Sequence, residues 1–402
     1  MNPRLERLQP YPFERLRQLL QDVTPTSPVT PIALSVGEPR HPTPPFIQTA
    51  LAQHLDGLSH YPLTVGSAAL RHAIATWVQR RFQLSTLDPD TQVLPTLGSR
   101  EALFSLAQVV INPDQPKARA VCPNPFYQIY EGATLLAGAQ PWYVNADPAQ
   151  DGRVDYRSVP EEVWQHTEVV FTCSPGNPTG GVMRLADWQD LFERADHYDF
   201  SIISDECYSE IYPHEDHPPL GSLQAAQQLG RTDYARLVAM GSLSKRSNVP
   251  GLRSAFAAGD ARVLERFALY RTYHGSAMNP AVQAASIAAW QDETHVQENR
   301  AAYRRKMTHF YQQVHPHLPL QQPEAGFYFW AQTPISDTEF ARELWRTQQV
   351  AVLPGSLLAR TAHGFNPGQN RIRIALVGSM EETQEAAERL ITYTHTLTGA
   401  LS

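Results

Sequence analysis

Apolar positions follow two different periods along this chain. Leu70, Ile74, Trp77 and Val78 recur at helical spacing and predict a helix over 66–82. Leu103, Leu106, Ala107 and Val110 predict another, opened by the turn Leu97-Gly98-Ser99. Further helices are expected from about residue 128 and over 186–196. Between them lie short, continuous apolar runs that read as strands near 119–122, 141–144, 169–171, 201–203, 237–240 and 254–258. Such runs alternating with helices are what a sheet covered on both faces requires. Residues 46–290 are therefore expected to form a doubly wound α/β domain with a mostly parallel sheet.

The pattern changes towards the C-terminus. Long helices are expected near 295–314, 337–348 and 380–397, with strands at 326–330 and 371–377. Ser336 with Glu339 and Ser379 with Glu382 have capping-box spacing. A smaller α+β domain over 291–402 follows, joined by an N-terminal arm, residues 1–45. That arm is proline-rich and expected to be irregular apart from Ile32-Ala33-Leu34, because Pro10 and Pro12 should break an amphipathic helix.

Composition narrows the class. Of 402 residues, 42% are hydrophobic and 18% charged, which suits a globular protein with a large core. The net charge of -7, without basic runs, leaves no footprint for nucleic acid. No apolar run approaches the ~18 residues of a membrane span. The N-terminus lacks the apolar core of a secretory signal, and Glu6 and Glu14 argue against a transit peptide. Three cysteines without CxxC spacing suggest neither disulfides nor zinc, and a cytoplasmic setting is expected. The fifteen histidines form no ligand pair, so no metal site is expected.

Candidate chemistry sits at the expected strand ends, where open α/β sheets bind ligands. Ser242, Ser244, Lys245 and Arg253 follow one strand, and Pro250-Gly251 should keep Lys245 on a loop. The hydroxyls and the guanidinium suit a phosphate, and the amine could attack a carbonyl carbon beside it. Pyridoxal phosphate (PLP) is both a phosphate ester and an aldehyde, although such a lysine is also what a solvated loop carries. Asp205 could keep the pyridine nitrogen protonated, or be a turn aspartate. Asn177 and Tyr208 could bond the phenolic oxygen. Tyr127 could stack on the ring, or simply pack in the core. Gly98-Ser99 opens a helix, and so either caps it or favours a phosphate there.

Three segments then carry a resemblance: Ser-Pro-Gly-Asn-Pro-Thr-Gly (174–180), Ser-Asp-Glu-Cys-Tyr (204–208), and Ser-Leu-Ser-Lys followed by Gly-Leu-Arg (242–253). In order and spacing they resemble the fold-type I, class I/II aminotransferases. The likeness extends from Val36-Gly37-Glu38-Pro39 through Tyr61-Pro62 and Leu70-Arg71 to Arg371-Ile372-Arg373-Ile374. It implies the PLP-dependent transferase fold and a Schiff-base role for Lys245, which would also move the proton at the substrate. It implies phosphate ligands at Ser99, Ser242 and Arg253, with Tyr61 reaching in from a second subunit of a homodimer. Arg373 would bind the substrate α-carboxylate, although an arginine alternating with apolar residues is also how a strand's solvent face reads. Gly37 would line the substrate site.

The substrates implied are an amino acid and a 2-oxo acid. Arg100 could meet a distal carboxylate, or be an exposed helix-start cation; Arg40, His41, Arg271 and His274 could add charge at the mouth. With Asn2-Pro3-Arg4-Leu5 and Pro10-Tyr11-Pro12-Phe13, these stretches resemble the N-succinyldiaminopimelate aminotransferases. Aspartate- or alanine-type transamination, a PLP-dependent cysteine-type β-lyase, and a PLP-binding sensor domain are the competing readings.

Overall fold

The computed structural model describes residues 1–147 and 152–401. Its strands are β1 (Ile32–Ala33), β2 (Val93–Thr96), β3 (Arg119–Asn124), β4 (Gln140–Asp147), β5 (Arg153–Val154), β6 (Thr167–Cys173), β7 (Ser201–Asp205), β8 (Leu237–Ser242), β9 (Ala255–Gly259), β10 (Tyr328–Gln332), β11 (Val350–Ala351), β12 (Leu353–Pro354) and β13 (Arg371–Ala375). Eight form the main sheet in the order β2-β9-β8-β7-β6-β3-β4-β5. The pairs from β8 through β7, β6 and β3 to β4 are parallel. β9 is antiparallel to both neighbours, and β5 to β4.

The continuous apolar runs are explained by two cores, one on each face. Val170, Ile202, Leu237 and Ala239 belong to one, with Leu70, Ile74, Trp77 and Val78 of helix Ala68–Phe82. Val169, Phe171, Ile203, Val238 and Met240 belong to the other, with Leu103, Leu106 and Ala107 of helix Ser99–Val110. Adjacent strand residues point to opposite faces, so each must be apolar when both faces are covered.

A third core lies around the sheet β10-β13-β12. Phe329, Ile372 and Ile374 pack there against Phe310, Phe340 and Leu390 from three C-terminal helices, and against Ile32 and Leu34 of the N-terminal arm. β1 pairs in parallel with β11.

The arm is more regular than expected. Pro12–Leu20 is a helix with Pro12 in its first turn, where a missing N–H breaks no intrahelical bond. Leu16 buries against Leu353, Leu357 and Leu358. The capping boxes are incomplete. Ser336 Oγ meets Thr338 Oγ1 rather than the backbone. Ser379 Oγ accepts from Glu382 N at 3.1 Å, but the Glu382 carboxylate pairs with Arg40. Lys245 lies not on a loop but on a single helical turn, Leu243–Arg246, and the Pro-Gly break follows it as a short 3-10 turn, Pro250–Leu252.

Candidate active site

The carboxyl ends of β2, β3, β6, β7 and β8 open on one cavity of about 850 Å³. Ser99, Arg100, Tyr127 and Asn177 line it from the first three of these connections. Asp205, Tyr208, Ser242, Ser244, Lys245 and Arg253 line it from the last two. Gly37 enters from the arm and Arg373 from β13. Twelve side chains or backbone positions singled out from sequence thus meet in one place. Gly98 lies just behind the wall. Tyr61 is fully exposed and does not line the cavity.

Lys245 Nζ donates to the Gly37 carbonyl at 2.8 Å, and Asn299 Nδ2 holds the Lys245 carbonyl at 3.2 Å. Burial brings the Lys245 pKa down to about 8, against the opposing pull of Cys207, Glu38 and Asp205. Asp205 ends β7, fully enclosed. Burial pushes its pKa up, offset by hydrogen bonds from Cys207 and Tyr130 and by the Lys245 charge. Tyr130 Oη donates to Asp205 Oδ2 at 2.9 Å, and Cys207 N to Oδ1 at 3.3 Å. These donors favour the ionised carboxylate in a place that otherwise disfavours it.

Tyr208 Oη meets Tyr328 Oη at 2.9 Å, and burial raises both phenols, so both remain neutral donors at ordinary pH. Arg373 is buried on β13, with its guanidinium 4.5 Å from the Tyr328 ring centre. Nη1 donates to Asn177 Oδ1 at 3.0 Å and Nη2 to the Ser35 carbonyl at 2.7 Å, while Nε is enclosed without a partner. Arg371, two residues earlier on the same face, opens elsewhere.

A phosphate fits the other end. Ser242 Oγ donates to Ser244 Oγ at 2.9 Å and accepts from Ser244 N at 3.1 Å. Arg253 donates to the Pro250 and Leu97 carbonyls at 2.8 and 3.4 Å. Its guanidinium rests on Gly98, whose φ is +88°; a Cβ there would lie 2.1 Å from Nη2. The twelve-residue helix Ser99–Val110 begins beside it, and the N–H groups of its first turn have no partner within the helix. Oxygen donors, a guanidinium and a helix start converge at one end; a carboxylate and a lysine stand further in. The donor set matches a phosphorylated heteroaromatic aldehyde.

Some expected cations do not reach the site. Arg40 pairs with Glu382. His41 bonds Asn299 at 2.8 Å and Lys306 at 2.8 Å. Arg271 is fully buried, ion-paired with Glu101 at 3.2 Å and bonded to the Thr64 and Pro95 carbonyls. His274 does line the cavity, and Arg100 donates to Tyr127 Oη at 2.8 Å. Sequence reasoning missed the site roles of Tyr11 and Phe13. Tyr11 lies 5.8 Å from the Arg100 guanidinium and beside Tyr127, which puts the arm itself over the cavity. The signal was Tyr11-Pro12, a proline that starts a helix.

Fold and site together define a cofactor-dependent enzyme of the doubly wound type. The model of the family "Aminotransferase class I and II" matches residues 29–390, and the chain belongs to that family. It is accordingly a PLP-dependent transaminase. It is similar to the crystal structure of an aminotransferase from Neisseria meningitidis, with 49% identity, 98% and 99% of the two chains covered, and a TM-score of 0.93. An LL-diaminopimelate aminotransferase from Nitratidesulfovibrio vulgaris is 31% identical over 394 residues, covering 96% of this chain and 97% of the relative. The structure of a probable N-succinyldiaminopimelate aminotransferase from Thermus thermophilus shares 26% identity, with 95% and 100% covered and a TM-score of 0.79. Among the described residues, no helix is long and apolar enough to cross a membrane.

Proposed function

We propose that this transaminase moves an amino group between glutamate and N-succinyl-2-amino-6-oxopimelate, the succinyldiaminopimelate transaminase reaction of diaminopimelate and lysine synthesis. The observation that carries the reading is the pairing of two arginines in one cavity, buried Arg373 and exposed Arg100. Arg373 takes the α-carboxylate as a fork, and Arg100 takes a remote carboxylate of a long substrate. The likeness to relatives named for diaminopimelate and its N-succinyl form supports the same class of substrate. Those names also support a second reading, in which free LL-diaminopimelate is the amino donor.

Ser99, Ser242, Ser244, Arg253 and the helix start at Gly98 would hold the phosphate of PLP. Asp205 would face the ring nitrogen, Asn177 and Tyr208 the phenolic oxygen, Tyr127 the ring face, and Lys245 the carbonyl carbon. PLP, when bound, supplies a conjugated ring that withdraws electrons from the substrate Cα. Lys245 carries the proton away from Cα, and its pKa of about 8 leaves a useful neutral fraction near neutral pH. Arg373 fixes the carboxylate so that the Cα–H bond faces Lys245. Tyr11 and Tyr127 exclude water from the mouth. We further propose a large unit of residues 46–290, and a small one of 291–402 joined by 1–45. The protein would work as a cytoplasmic homodimer in which exposed Tyr61 completes the partner's phosphate site.

Comparing kcat/KM for N-succinyl-LL-diaminopimelate, LL-diaminopimelate, aspartate and alanine, with 2-oxoglutarate as acceptor, tests the substrate. The succinylated donor should lead, and a preference for alanine would refute the reading. Release of pyruvate and ammonia from cysteine-type substrates would indicate the β-lyase instead. Lys245→Ala should change the visible band of the bound cofactor, because no amine remains to react with its carbonyl carbon; an unchanged band removes Lys245 from its role.

A further inference from the structure

A second cavity, of about 580 Å³, shares no lining residue with the first. Trp330 and Gln332 of β10, Arg371 of β13, Tyr311 of helix Thr294–Val314, Gln322, and Thr179 from the turn after β6 face it. Arg371 is half-buried there, and its guanidinium has no hydrogen bond or ion pair among the described residues. Burial lowers its pKa, and no carboxylate among the described residues offsets the effect. Glu324, the acid that lines the same cavity among the described residues, is already committed. It pairs with Arg184 at 2.6 Å and accepts from Val182 N at 3.0 Å.

A half-desolvated guanidinium without an anion is an unfavourable arrangement that a ligand carboxylate would relieve through a two-point fork. Trp330 and Tyr311 offer flat apolar surface beside it, and the glutamine amides can fix orientation. We propose that this cavity is a second, non-catalytic site for a monocarboxylate carrying a flat apolar body. Its position gives it a consequence. Arg371 lies two residues along β13 from Arg373, and Thr179 two residues from Asn177. The occupant therefore touches the residues two positions from each partner of the 3.0 Å Arg373–Asn177 bond, and braces that pair through β13 and the turn after β6.

Benzoate is the probe, titrated calorimetrically into holoenzyme. An Arg373→Ala background weakens carboxylate binding in the first cavity, and benzoate should still bind it at one site per chain. Adding Arg371→Ala should weaken that binding at least about tenfold, the scale of a charge-assisted hydrogen bond. Gln332→Glu is a second variant. Gln332 lies directly across from Arg371 in the strand register, so a carboxylate there should pair with the guanidinium and displace benzoate without loss of stability. With Arg373 intact, saturating benzoate should alter KM for the amino donor in the wild type beyond any effect that survives Arg371→Ala. Benzoate binding indifferent to Arg371→Ala and Gln332→Glu, or absent in the Arg373→Ala enzyme, would overturn the proposal.

Discussion

Gly98→Ala should separate cofactor retention from the rest of the active site. Gly98 has φ +88° and ψ 156°, a conformation that residues with a Cβ scarcely adopt. Forcing alanine into it costs about 1–3 kcal/mol of backbone strain. The added Cβ would also lie 2.1 Å from Arg253 Nη2 and 2.7 Å from Cζ, so the guanidinium must move by roughly an ångström or more to reach van der Waals distance. That movement gives up the bonds to the Pro250 and Leu97 carbonyls and takes the guanidinium away from the proposed phosphate position. A lost charge-assisted contact is worth about 1.5–3 kcal/mol, which is roughly a 10- to 150-fold weaker PLP Kd. The assay is absorbance titration of the apoprotein with PLP, run on Gly98→Ala, Arg253→Ala and the double variant. If Gly98 acts through Arg253, the losses should not add, because the second substitution finds the guanidinium contact already gone. The apoprotein Tm of Gly98→Ala should fall by about 1 °C for each kcal/mol of strain. Wild-type PLP affinity in Gly98→Ala, or strictly additive losses, would refute the reasoning.

Three further outcomes follow from buried groups. Lys306 bonds His41 and the Gly378 carbonyl, and burial brings its pKa to about 7, so between pH ~7 and the unfolded value near 10.4 only the unfolded chain holds that proton. Stability should rise with pH across this window by up to about 1.4 kcal/mol per unit, a slope that Lys306→Met removes; urea melts at several pH values with identical slopes for both proteins would contradict it. Tyr130→Phe strips one donor from enclosed Asp205, and should cost about 1–3 kcal/mol in urea unfolding while moving the acid limb of kcat upward in pH. Arg373→Lys exchanges a planar fork for a point charge, so KM for the amino donor should rise by about tenfold or more with a smaller change in kcat, and an unchanged KM would argue against the carboxylate role.

What could be read from the sequence was what local pattern encodes. Val169, Phe171, Ile203 and Val238 announced buried strands because a sheet covered on both faces needs apolar residues at every position. The polar residues just beyond those strands could then be assigned to one edge. Partner choice over long distances left no such trace. Arg271 looked like a cation available at the mouth, yet Glu101 and two carbonyls hold it in the core. Arg40 and Glu382, far apart in the chain, find each other only through the third core. Tyr11 and Phe13 were hidden because prolines at 10 and 12 suggest an irregular chain unless Pro12 is seen as the first residue of a helix. Arg246 and Ser247 had no visible purpose beside Lys245. In the fold, the Arg246 guanidinium stands 5.1 Å from the Trp77 ring centre and 5.0 Å from that of Trp290 and pairs with Glu293, and Ser247 bonds His295, which anchors the turn that presents Lys245.

The direction of β9 decides whether that turn can serve the proposed phosphate site at all. Lys245 and Arg253 belong to the connection from β8 to β9, and Ser242 pairs with Ala255 across the antiparallel ladder. The end of β8 and the start of β9 therefore share an edge, and the connection between them brings Ser244, Lys245, Pro250, Gly251 and Arg253 to the cavity. Had β9 run parallel to β8, its first residue would lie at the far edge. Five residues of strand would then put Arg253 roughly 16 Å from its present place. β2, on the other side of β9, runs parallel to β8 and delivers Gly98 and Ser99 to the same edge. One reversed strand between two parallel ones thus places a guanidinium from a strand's beginning against a glycine from another strand's end. An antiparallel strand inside a mostly parallel sheet has the look of an irregularity, but here it is what closes the proposed phosphate end of the site.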